Sequence, residues 1–152
     1  MESWEATEAN TRVADEEEID ALLDAARYSD MEDINALASS GVSLNSKDSF
    51  GRTALHMASA NGHLGVVEFL LSHNANINAA NEEKNTPLHW ACLNGHTEVI
   101  KRLVLGGASL SALNSNERTP LDEALRNGNK EMLEALNAAV AQLDLANFKL
   151  SP

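Results

Sequence analysis

The chain has 152 residues, 43 % hydrophobic but only 4 % aromatic, a balance that suits one domain lined by alanine and leucine and excludes an aromatic-rich sandwich or barrel. Its formal net charge of −12 is uneven: residues 1–48 carry 13 of the 23 acidic side chains against three basic ones, and residues 49–152 carry 10 against eight. That field disfavours direct contact with nucleic acid or anionic lipid and favours a basic protein partner, while the lone Cys92 excludes an internal disulfide and no apolar run reaches membrane-spanning length.

The N-terminus, MESWEATEAN, is acidic and unlike a signal or transit peptide, so the expected compartments are cytoplasm and nucleus. Residues 1–14 are polar and aperiodic and predict a disordered acidic tail holding Trp4. From Asp15, the apolar positions Ile19, Leu22, Leu23 and Ala26 predict a helix whose first turn, Glu16 to Glu18, suits the positive end of the helix dipole. Ile34 and Leu37 predict a second helix.

The stretch from Asp48 to His63 recurs from Asn81 to His96 and from Asn114 to Asn129, at an offset of 33 residues both times. A fixed period of that size predicts a stacked repeat array. Thr53, Thr86 and Thr119 can each cap a helix, and Pro87 and Pro120 follow at the first helical position, where a missing N–H is harmless. Gly62, Gly95 and Gly128 supply left-handed stops, and an apolar run follows each: Val66, Val67 and Leu70; Val99, Ile100 and Leu103; Met132, Leu133 and Leu136. Every unit is thus predicted to be helix, turn, helix. The last fifteen or so residues keep Val140, Leu143 and Leu145 near helical spacing and predict a C-terminal helical extension or a tail over 138–152.

These units resemble the ankyrin repeat: Thr86-Pro87-Leu88-His89 and Gly95-His96 match its pattern, and 33 residues earlier Leu22, Ala25, Ile34 and Leu37 fall on the same positions. The resemblance implies an all-α ankyrin-repeat solenoid of four repeats, about 15–47, 48–80, 81–113 and 114–137, within a domain over 15–137. It further implies that the segments between second and first helices form β-hairpin-like fingers. Terminal repeats must cap the array, and Asp122 and Asn129, which stand where the middle repeats have histidine, mark the fourth as a cap.

Residues able to do chemistry are few. The resemblance gives His56 and His89 a structural bond between threonine and neighbouring backbone, while His63 and His96 start second helices. Spacings of 33 residues do not place two metal ligands on one helical face. Cys92 occupies a small-residue position, and no phosphate loop or nucleophile elbow occurs. No catalytic residue, metal or cofactor is expected, and the chain is expected to be no enzyme.

A binding surface remains. In the resembled fold the concave face is made of finger tips and the exposed side of first helices, here Met57, Ala60 and Asn61; Trp90, Leu93 and Asn94; Glu123, Arg126 and Asn127. The tips supply Asp48, Phe50, Arg52, Asn81, Glu82, Glu83 and Lys84. Met57, Trp90 and Leu93 are expected to form an apolar patch with Trp90 as anchor, and Asp48, Phe50, Asn61, Glu82, Glu83 and Asn94 are expected beside it. Such a patch suits a basic, helical protein partner. The pattern from Thr53 to His63 and Leu88 to Gly95 is also similar to that of a small yeast ankyrin protein that chaperones a basic small-subunit ribosomal protein, which implies a ribosomal protein as client of a monomeric chaperone. A signalling or transcriptional adaptor with a non-ribosomal partner is the alternative.

Overall fold

The computed structural model describes residues 13–127 and 130–150; most of the tail expected over 1–14, with Trp4, and the third glycine stop, Gly128, lie outside them. Among the described residues eight helices follow one another: α1 (Glu16–Arg27), α2 (Met31–Ser39), α3 (Ala54–Ala60), α4 (Leu64–Ser72), α5 (Pro87–Asn94), α6 (Thr97–Leu105), α7 (Pro120–Asn127) and α8 (Lys130–Leu150). First helices α1, α3, α5 and α7 stack side by side as one layer; α4, α6 and α8 stack in the second. The chain is an all-α solenoid, and its core lies between repeats.

Local chemistry explains how the first helices start. Asp15 accepts the Glu18 N–H while the Glu18 side chain returns to the Asp15 N–H, a reciprocal cap. Thr53 and Thr86 do the same with histidine as partner: the Thr53 hydroxyl accepts the His56 N–H and His56 Nδ1 accepts the Thr53 N–H, and Thr86 with His89 repeats this. The helices end at backbone in the left-handed region, Gly62 and Gly95 both at φ 74°. The degenerate first repeat buries Leu22, Ala25 and Ile34 like its successors.

Fingers differ from expectation in one respect. No strand occurs among the described residues, and each finger is a tight turn closed by two backbone bonds. Asp48 N–H donates to Arg52 O and Gly51 N–H to Asp48 O, with equivalents at Asn81/Asn85 and Asn114/Arg118. The turns are too short for a ladder. The last helix runs to Leu150 without a break at the expected boundary near 137/138, burying Ala139 and, in part, Val140 and Leu143 beside α6.

Candidate functional site: a finger and helix cleft

Two adjacent fingers and helix α5 enclose an open cleft of about 260 Å³ lined by Phe50, Arg52, Asn81, Glu82, Glu83 and Trp90. An Asx residue builds each finger. Asp48 Oδ1 accepts the N–H groups of Phe50 and Arg52 at 3.0 and 2.9 Å, and Asn81 Oδ1 accepts those of Glu83 and Asn85 at 3.0 and 2.9 Å. A short polar side chain that takes N–H groups two and four residues ahead holds such a turn in place of a ladder. The fingers then touch backbone to backbone, Glu82 N–H donating to Phe50 O at 2.9 Å and Ser115 N–H to Glu83 O at 2.8 Å. Phe50, Glu82 and Glu83 are thereby fixed on one surface.

Within the cleft Arg52 is already engaged. Its Nε donates to Asp48 Oδ2 at 2.7 Å and its guanidinium lies 5.1 Å from the centre of the exposed Phe50 ring. Burial pushes the Asp48 carboxyl up, but the Arg52 and Phe50 N–H groups and the Arg52 side chain outweigh it and hold the carboxyl below its usual value. Glu82 and Glu83 are exposed, with no cation within salt-bridge distance among the described residues.

Of the site residues expected from the sequence, Phe50, Glu82, Glu83 and Trp90 come together here. Trp90 is half-buried rather than fully presented, its ring packing edge-on against His56 with centroids 5.3 Å apart. Met57 corrects the expectation: it is only 5 % exposed, in the core, with its sulfur 3.7 Å from Arg27 Nη2. Arg27, at the end of the preceding first helix, reaches over that position, so no apolar strip runs from Met57 through Trp90 to Leu93. Leu93 remains exposed but does not line the cleft. Asp48 is a second correction, because its carboxylate is spent on the finger and its side chain is nearly inaccessible. Asn61 and Asn94 are exposed and fold back onto their own helices, donating to Met57 O and Trp90 O. Glu123, expected on the groove, is buried 3.7 Å from both Arg118 and Arg126. Arg52 and Asn81, expected at the finger tips but not beside the apolar patch, also line the cleft, and the recurrence of Asp48, Asn81 and Asn114 at 33-residue intervals is the sequence signal for the finger turns.

The reactive side chains are structural. His56 Nε2 donates to Asn85 O at 2.8 Å and His89 Nε2 to Arg118 O at 2.9 Å, each reaching the next finger. His63 and His96 donate backwards, to Arg27 O and Ala60 O at 2.7 and 2.9 Å. Burial pushes the Cys92 thiol up to about 12, with Glu123 adding to the effect, which leaves it protonated and unreactive.

A family profile for ankyrin repeats (3 copies) matches residues 6–81, 22–114 and 78–146. Two similar proteins are an L-asparaginase of Dirofilaria immitis, 45 % identical over 51 residues, and the liver isoform of mitochondrial glutaminase of Rattus norvegicus, 46 % identical over 50. The aligned stretches are 34 % and 33 % of this chain but 9 % and 8 % of those proteins, so the likeness is to short ankyrin-like segments and does not carry their chemistry. Ankyrin repeats are protein–protein interaction modules and in general non-catalytic. With the profile spanning nearly the whole array of stacked helix pairs, the chain belongs to the ankyrin-repeat family.

Proposed function

We propose that this ankyrin array is a non-enzymatic module of cytoplasm and nucleus that shields a basic, helical client, a newly made small-subunit ribosomal protein being the client class, and that the client seats on the cleft of Phe50, Glu82, Glu83 and Trp90. The observation that carries the reading is the pairing of two aromatic faces with two carboxylates that have no cation within salt-bridge distance among the described residues. Such a cleft favours a lysine or arginine whose stem lies on an aromatic ring while its charge meets a carboxylate. The correction at Met57 strengthens the electrostatic share, because an apolar strip that ends at Trp90 leaves less surface for a purely hydrophobic partner.

The rest of the chain supports the same sign of partner. Asp30 caps α2, and its charge beside Asp33 raises the Asp33 carboxyl above its usual value, with loss of solvent and the nearby Glu32 adding to the effect, so like charges crowd there. The ribosomal class of client rests on the sequence resemblance at Thr53–His63 and Leu88–Gly95.

The test is a titration of the full chain against newly synthesised small-subunit ribosomal proteins and against a basic helical peptide at two ionic strengths. Affinity should fall about tenfold between roughly 50 and 300 mM salt, and Glu82→Gln with Glu83→Gln should remove most of that dependence. Binding that ignores salt, and survives the double substitution, would overturn the basic client and favour the adaptor reading.

A further inference from the structure

The C-terminal end of the stack carries an apolar face that no other repeat leaves open. Leu55 and Leu88 are sealed by the first helix that follows, as are Ser59 and Cys92, whereas the equivalent Leu121 and Leu125 of α7 are 39 % and 55 % exposed. Two finger positions point the same way. Lys47 Nζ reaches forward to Ala80 O of the next repeat at 2.9 Å, and Ile77 lies against Gly106 of the next, its Cδ1 3.1 Å from where a β-carbon would stand. The matching residues of the last repeats, Leu113 and Leu110, are 54 % and 37 % exposed. Four leucines thus line one end. Helix α8 leaves them open because it packs in the other layer, along α6.

We propose that this face is a self-association surface, on which a second copy of the chain docks end to end about a twofold axis, α7 antiparallel to its mate. Charge complementarity selects that occupant. Asp122 and Arg126 flank Leu121 and Leu125 on the same side of α7, one turn apart. In an antiparallel twofold pair each Asp122 faces the mate's Arg126, twice over, while the leucines meet between them. Asp122 is exposed, and the N–H and hydroxyl of Thr119, with Arg118 nearby, hold its carboxyl below the usual value. Arg126 is more than half exposed, and among the described residues its one close carboxylate is Glu123 at 3.7 Å.

The same residue rejects head-to-tail stacking. In the inner repeats the histidine at this position donates to a carbonyl of the following finger, but Asp122 offers a carboxylate, and a fifth finger would set carbonyl against anion. The acidic first repeat also lies at the far end of the stack. Residues 49–152 hold 10 acids against eight bases, so two C-terminal ends meet with little net repulsion.

Sedimentation equilibrium of the full chain tests the proposal. A reversible monomer–dimer equilibrium without larger species is expected; a chain that stays monomeric to about 1 mM overturns it, and a ladder of larger species overturns the closed symmetry. Leu125→Asp, at an exposed site, should weaken the dimer at least about tenfold, and unchanged dimerisation would place the contact elsewhere. Asp122→Arg and Arg126→Asp should each dissociate alone and recover the dimer when mixed one to one, since every arginine then faces an aspartate. Recovery no greater than that of either variant alone would overturn the antiparallel register. Circular dichroism melts of the same samples separate dissociation from unfolding.

Discussion

His56 shows how much of this fold rests on single polar groups. Its Nδ1 takes the Thr53 N–H, so the neutral ring carries its proton on Nε2 and gives it to Asn85 O. Burial is the main cause of a pKa lowered to about 4, with the Asn85 bond opposing and the Lys47 charge adding. Unfolded, the ring titrates near 6.5. Between those values the unfolded chain binds a proton that the folded chain refuses. Stability should therefore fall as pH drops from about 6.5 to about 4, by on the order of 3 kcal/mol, and be indifferent to this group above that window. Denaturant melts at three pH values check it: His56→Gln should be less stable at neutral pH yet show a shallower loss towards acid. Trp90 has a double role, since it lines the cleft and packs edge-on against His56. Trp90→Ala should lower stability by about 1 kcal/mol and cost about 2 kcal/mol of client binding. A melt identical to that of the parent chain would mean the ring contact carries no energy.

At the scale of the element, three kinds of backbone position recur in the left-handed region with the 33-residue period: Ser29, Gly62 and Gly95 after the first helix; Gly41, Asn74 and Gly107 after the second; Gly51, Lys84 and Glu117 at the finger tip. Two substitutions should move in opposite directions. Gly62→Val combines φ 74° with a β-carbon that would stand 2.5 Å from His96 Nδ1, the ring that ties the third repeat to the second. A loss of about 3 kcal/mol is expected, more than backbone strain alone would give. Lys84→Gly relieves a left-handed non-glycine residue at an exposed tip, and should gain a few tenths to about 1 kcal/mol after the entropy of glycine is offset. Thermal melts of the two variants would separate these outcomes, and a destabilised Lys84→Gly would mean the lysine side chain secures the finger.

Among the described residues the main helix contacts lie within a repeat or between adjacent repeats, so stability is close to a sum of units and interfaces. Helix α8 is the departure, 21 residues long and lying along α6. Deleting residues 138–152 removes Ala139 and the partly buried Val140 and Leu143, which should cost on the order of 3 kcal/mol. Denaturant melts would show it as a lower midpoint, and an unshifted midpoint would mean that the extension frays in solution.

The sequence by itself determined the repeat period, the threonine caps, the glycine stops, the helix pairing and the family, because these are local signals: hydrogen bonds three or four residues apart and backbone preferences repeated at a constant interval. It also placed Phe50, Glu82, Glu83 and Trp90 at one finger and helix surface. Only the tertiary structure decided what each neighbour covers. Template position 57 reads as exposed on its own helix, yet the adjacent repeat seals Met57 and half-seals Trp90; Asp48 reads as a surface acid, yet its oxygens are consumed inside the finger. The open leucines of the last repeat follow the same logic in reverse: Leu121 follows the same Thr-Pro pair as Leu88, and one is exposed and the other buried because burial in a solenoid belongs to the next repeat along the stack.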